Sequence, residues 1–137
     1  MKDEEEKRRD LKDRTREFAL RVVRLYSALP RSSVAQVLGK QLLRSGTSVG
    51  AHWREGSRAR SDAEFVSKVE GGLQELEESL YWMELLIGAG ILKTDRAEGL
   101  NDDANELMAI LISCVKEVKS RVEVKKATED EKRKALL

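Results

Sequence analysis

Residues 41–60, QLLRSGTSVGAHWREGSRAR, constrain the fold more than any other stretch. The segment enters as an apolar helix edge at Leu42 and Leu43. It then passes through a window of small residues: Ser45, Gly46, Thr47, Ser48, Val49, Gly50 and Ala51. It leaves as a cationic turn carrying Arg54, Arg58 and Arg60. Small side chains let a second backbone approach closely while the arginines face outward. Gly39, Gly46, Gly50 and Gly56 each lower helix propensity by about 1 kcal/mol relative to alanine, so a helix that keeps them is expected to use them for close packing. The stretch reads as the latter part of a continuous but locally irregular helix over about 33–59, capped by Ser32 or Ser33. Its expected inward face is Val34, Val37, Leu38, Gln41, Leu42, Ser45, Val49, His52 and Trp53.

Three more helices follow from spacing. Leu11, Phe18, Ala19, Val22, Val23, Leu25, Tyr26 and Leu29 form one amphipathic stripe. Pro30, the only proline, ends it, because a proline ring disfavours helical geometry in the residue before it. Ser61-Asp62-Ala63-Glu64 is a capping box. The helix it opens carries Phe65, Val66, Val69, Leu73, Leu76, Leu80, Met83 and Leu86, with Tyr81, Trp82 and Leu85 on an adjacent side, and closes at Gly88-Ala89-Gly90. Thr94 or Asp95 is expected to cap a fourth helix. Its stripe is Leu100, Ala104, Leu107, Met108, Leu111, Val115, Val118 and Val122, widened by Ile110, Ile112 and Cys114. Residues 1–10 and 123–137 are densely charged and read as tails, the first as a frayed end or a solvated helix extension. The expectation is an all-α, antiparallel up-down-up-down four-helix bundle over residues 11–122.

At 137 residues the chain is one domain's worth and can bury a core. One cysteine excludes an internal disulfide framework and suits a reducing compartment, so a cytoplasmic protein is expected. The N-terminus lacks the apolar region of a secretory signal, and no run reaches the roughly 18 apolar residues of a membrane span.

Net charge is only +1, yet residues 1–31, 32–60, 61–110 and 111–137 carry +3, +4, −9 and +3 in turn. A partner meets that segregation rather than the average. Lys40, Arg44, Arg54 and Arg58 fall near one line on the second helix, with Thr47 and Ala51 between them. Arg14, Arg21, Arg24 and Arg31 add charge on or just after the first helix, and Lys116, Lys119, Lys125 and Lys126 toward the C-terminus. The candidate nucleic-acid-binding set is Lys40, Arg44, Arg54, Arg58, Arg21, Arg24, Lys116 and Lys119, which would meet phosphates by charge. The competing reading is a solvated face, or pairing with the acidic third helix of the same or a neighbouring chain. Trp53, Tyr81, Trp82 and Leu85 are candidate oligomer-interface anchors, since aromatics at helical spacing serve cores and interfaces more often than base stacking. Glu55, Glu75 and Glu78 are expected to be partly buried and hydrogen-bonded.

Catalysis finds little support. His52 has Glu55 nearby but no second ligand pair, so a structural role is expected and no metal site. A carboxylate-bridged di-metal bundle needs Glu-x-x-His on two helices, and the chain has one histidine. Gly46–Gly50 lacks the Gly-Lys-Ser/Thr ending of a phosphate loop. Cys114, among apolar neighbours, is expected to be an inert small hydrophobe. No cofactor is expected, and the chain reads as non-enzymatic.

The run from Leu29-Pro30 through Gln41–Ala51 and Glu55, then Ser61, Phe65, Lys68, Glu75, Glu78 and Tyr81–Leu86, resembles a known family. This is the family of bacterial four-helix-bundle proteins encoded in intervening sequences of 23S ribosomal RNA genes. The accessory variability protein of diversity-generating retroelements belongs to it. The likeness covers residues 11–120. It implies a bundle assembled as a ring-like homopentamer. In the retroelement branch it also implies binding to nucleic acid and to a partner reverse transcriptase. Two departures stand out: His52 occupies a position where the family usually has Asn, and this chain is near neutral where retroelement members are basic. The alternative function is an oligomeric scaffold or protein-interaction module that binds no nucleic acid.

Overall fold

The computed structural model describes residues 3–137 and contains four α-helices. They are α1 (Glu4–Ser27), α2 (Ser33–Ser57), α3 (Asp62–Gly88) and α4 (Thr94–Leu136), with no strand among the described residues. Each helix packs on its neighbours in chain order and α1 closes against α4, while the diagonal pairs do not meet. Registers run opposite: Val22 meets Gly46 and Thr15 meets Gly50, while Ser45 meets Ser79 and His52 meets Gly71. This is the antiparallel bundle that the spacing predicts.

The α1–α2 seam explains the small-residue window. A Cβ built on Gly46 would lie 2.7 Å from Val22 Cγ2, and one on Gly39 would lie 2.7 Å from Leu29 Cδ1. Bare backbone at these positions is what admits α1. Phe18, Val22, Leu42, Val49, Leu76, Met83, Leu86 and Leu107 are fully buried between the helices. Each such side chain contributes about 1.5–3 kcal/mol of burial. Thr15, Ser45 and Ser79 are the buried polar residues of the described chain. Thr15 donates to the Leu11 carbonyl and Ser79 to the Glu75 carbonyl, which leaves Ser45 to donate across α2–α3 to Ser79 Oγ at 2.9 Å.

Several helix ends differ from expectation. Ser32 caps α2 and Ser61 caps α3, each accepting the amide three residues on. In the α3 capping box, Glu64 reaches the amide of Arg60 rather than that of Ser61. Lys93, not Thr94 or Asp95, is the α4 N-cap, and no side chain bonds there. Val34 and Val37, expected inward, are 56% and 63% exposed. The stripe instead passes through Ala35, Gly39 and Leu42, because α1 lies over the glycine side of α2. Residues 4–10 form the first turns of α1, so the expected N-terminal tail is a solvated helix extension there; residues 1–2 lie outside the described part. Residues 123–137, also read as a tail, continue α4 almost to its end as exposed helix. Among the described residues no helix is long and apolar enough to cross a membrane.

Candidate nucleic-acid interface

The predicted cationic set divides among different surroundings. Arg44 lies across α3: it donates to Glu75 at 3.2 Å and also to Glu78. The hydrogen bond to Glu78 and the nearby Glu75 charge raise the Arg44 pKa above its ordinary value. Lys119 of α4 pairs with Glu70 of α3 at 2.9 Å. Arg21 lies 3.7 Å from Asp103 of α4. These three meet acidic partners within the chain. Arg14, which the sequence placed among the outward arginines, also turns in, bonding Asp103 at 2.9 Å and Glu106 at 3.2 Å. Burial opposes its charge, but the two carboxylates outweigh that and raise its pKa. Lys40 on α2, Lys116 on α4 and Arg24 on α1 are exposed.

Arg54 and Arg58 behave differently. They face the first turns of α1, where Arg8, Arg9 and Lys12 line a cleft of about 210 Å³ with them, beside one carboxylate, Glu5. Arg54 is shared with an adjoining cleft of about 270 Å³ that includes Arg16 and is floored by Ala19, Thr47, Gly50 and Ala51. Together they make a groove along the α1–α2 seam. Of the two clefts, only the one that includes Arg16 is lined by residues of the α2 small-residue window. Arg8, Lys12 and Arg16 recur every four residues, so one face of α1 turns toward Arg54 and Arg58. Arg16 also bonds Glu17 at 3.2 Å, an exposed pair of little energetic weight. Sequence reasoning missed this α1 row. The signal lay in the i+4 spacing of residues 8, 12 and 16, but only the antiparallel register brings that row beside Arg54.

The remaining candidates sort by burial. Trp53 is 4% exposed and its Nε1 donates to the Arg8 carbonyl at 3.3 Å. Its ring meets Phe65 edge-on, with centroids 6.1 Å apart. It anchors this chain's own core, which corrects its expected place at an oligomer interface. Tyr81 is 52% exposed and edge-on to half-buried Trp82, while Leu85 is half-buried beside them. Of the expected buried carboxylates only Glu75 is well covered, with its side chain 15% exposed; Glu78 is half-exposed. Glu55 is exposed instead and pairs with Lys68 at 3.0 Å, a contact that lowers its pKa. It sits at the open end of α2, where the next helix offers a lysine and no cover. The His52 ring lies against the bare Cα of Gly71, with its Nδ1 buried and unpartnered. Cys114 is half-buried, and burial raises its thiol pKa. No group of three or more His, Cys, Asp or Glu among the described residues is placed to hold a metal ion.

The comparisons agree with this architecture. The family model described as 23S rRNA-intervening sequence protein matches residues 7–113. A solved structure of a protein of unknown function from the S23 ribosomal protein family, from Bacteroides thetaiotaomicron VPI-5482, superposes with a TM-score of 0.76 at 42% identity. The match covers 80% of this chain and 98% of that one. No curated protein shows significant similarity. With four antiparallel helices in place and the family model spanning most of them, the chain belongs to the 23S rRNA-intervening sequence protein family.

Proposed function

We propose that this protein is a non-enzymatic, homo-oligomeric bundle that grips the phosphate backbone of nucleic acid along the α1–α2 seam. One observation carries the reading: Arg8, Arg9, Lys12, Arg54 and Arg58 line one cleft beside a single lining carboxylate, Glu5, and Arg54 also lines a second cleft that includes Arg16. A row of cations suits a backbone, which is uniform in charge, better than base edges. Oligomerisation would use the outward α3 face at Tyr81, Trp82 and Leu85, and a ring of subunits would repeat the groove. In a retroelement setting the same surface would serve a reverse transcriptase by presenting its template.

The second reading, a scaffold without nucleic acid, is favoured by the pairs Arg44–Glu75, Arg44–Glu78 and Lys119–Glu70, which commit charge to holding helices together. Replacing Arg54 and Arg58 with Glu separates the two. The first reading expects RNA binding to be lost while the oligomer keeps its mass in light scattering. Dissociation of the oligomer, or a parent protein that binds no RNA, favours the scaffold, and RNA binding that survives the substitutions places the contact away from the seam.

A further inference from the structure

At the far end of α1 from the groove, the α1–α2 and α3–α4 connections flank an open cavity of about 490 Å³. Its floor is apolar, made by Leu25, Leu29, Ile91, Leu92 and Leu100. Its rim carries Arg21, Arg24, Lys93 and Arg96, and no carboxylate lines it. We propose that this cavity binds a small amphipathic anion, a carboxylate or phosphate monoester on an apolar chain.

Both walls are fixed before any ligand arrives. The α3 end is a Schellman turn: the Ile91 amide donates to the Leu86 carbonyl and the Gly90 amide to Ile87. Gly90 holds φ +74°, which suits a residue without Cβ. On the other wall Tyr26 Oη donates to Gln36 Oε1 at 2.8 Å, and Gln36 Nε2 donates to the Pro30 carbonyl at 3.2 Å. The α1–α2 connection is thereby tied to both flanking helices.

One cation is placed as firmly. The Arg21 guanidinium lies over Gly99, where a Cβ would come within 2.7 Å of Nη2, and Asp103 steadies it from one side. Asp95 and Glu98, the other carboxylates of the first α4 turns, are exposed and outside the lining. The rim is therefore a positive field over a greasy floor. A neutral apolar molecule would leave the rim unanswered, and an inorganic anion would leave the floor wet. A molecule with both parts satisfies both.

The test is competition against 8-anilinonaphthalene-1-sulfonate fluorescence on the full-length protein, using decanoate, decyl phosphate, decanol and inorganic phosphate below micellar concentrations. Decanoate and decyl phosphate are expected to bind at one per chain, with decanol and inorganic phosphate at least about tenfold weaker. The order of the first two identifies the preferred head group. Arg24→Ala with Arg96→Ala, both at exposed positions, should weaken decanoate about tenfold or more. Leu92→Trp, which fills the floor, should abolish decanoate binding while leaving the circular dichroism spectrum intact. Decanol binding as tightly as decanoate, or no effect of the arginine pair, would overturn the proposal. So would loss of RNA binding in the arginine pair with no decanoate binding in the parent, since the four cations would then belong to a nucleic-acid surface.

Discussion

Val22 of α1 rests directly on the backbone of α2 at Gly46: a Cβ placed there would meet Val22 Cγ2 at 2.7 Å and Cγ1 at 2.9 Å. Valine is stiff at χ1, so neither methyl can swing aside without moving the helix. Gly46→Ala should therefore cost about 1–2 kcal/mol, since overpacking outweighs the roughly 1 kcal/mol of helix propensity gained. Gly88→Ala is the control, with nothing within 4 Å of its Cβ, and should be neutral or stabilising. Urea unfolding of the two variants measures both.

The Ser45–Ser79 contact gives a second expectation. Each hydroxyl keeps a carbonyl on its own helix when the other is lost, so either single alanine should cost about 1 kcal/mol. Ser45→Ala with Ser79→Ala should cost clearly less than the sum, because two apolar groups replace the whole polar pair. Additive costs in a double-mutant cycle would show that the hydroxyls act independently.

Glu55 supplies a pH expectation. The hydrogen bond and charge of Lys68 lower its pKa from the ordinary carboxylate value. Its contribution to stability is therefore present above the unfolded-state value and lost as pH falls through the lower folded value. The pair is exposed, so the global effect should be slight, and the local one is the better readout. Lys68→Ala should move the Glu55 titration upward in a carbonyl-detected NMR series. A midpoint that stays put would assign the shift to another cause.

Cys114 titrates the other way. Burial, then the charge of Glu117, raises its thiol pKa. Stabilisation from the neutral thiol is complete below the unfolded-state value and fades as pH rises through the folded one. Alkylation by iodoacetamide near pH 8 should be several-fold slower in the folded chain than in urea, because the thiolate is the nucleophile. Equal rates would place the thiol in an ordinary aqueous setting.

Much of the fold was legible because periodicity and punctuation agreed. Pro30, Ser61 and Gly90 mark helix ends in the sequence and in the structure. The phase of the first α2 turns was not legible: Val34 and Val37 are more hydrophobic than Ala35 and Gly39, yet close approach of α1 selects the smaller pair. Trp53 shows the same limit, since spacing alone does not say whether an aromatic covers its own core or a neighbour's. For the site, Arg54 and Arg58 could be picked out by charge. Their companions Arg8, Lys12 and Arg16 could not, because only the helix register puts residues some 45 positions apart side by side. Arg44 illustrates the converse, a cation that looks outward in sequence and bonds Glu75 and Glu78 in space.

The most direct test of the central claim is fluorescence anisotropy of labelled single-stranded RNA and duplex DNA against the full-length protein across a salt series. Six lining cations should neutralise several phosphates, giving a log–log slope of affinity against salt steeper than about −3, at roughly −0.7 to −0.9 per contact. Absence of binding at low salt would contradict the account and leave the groove's arginines to assembly.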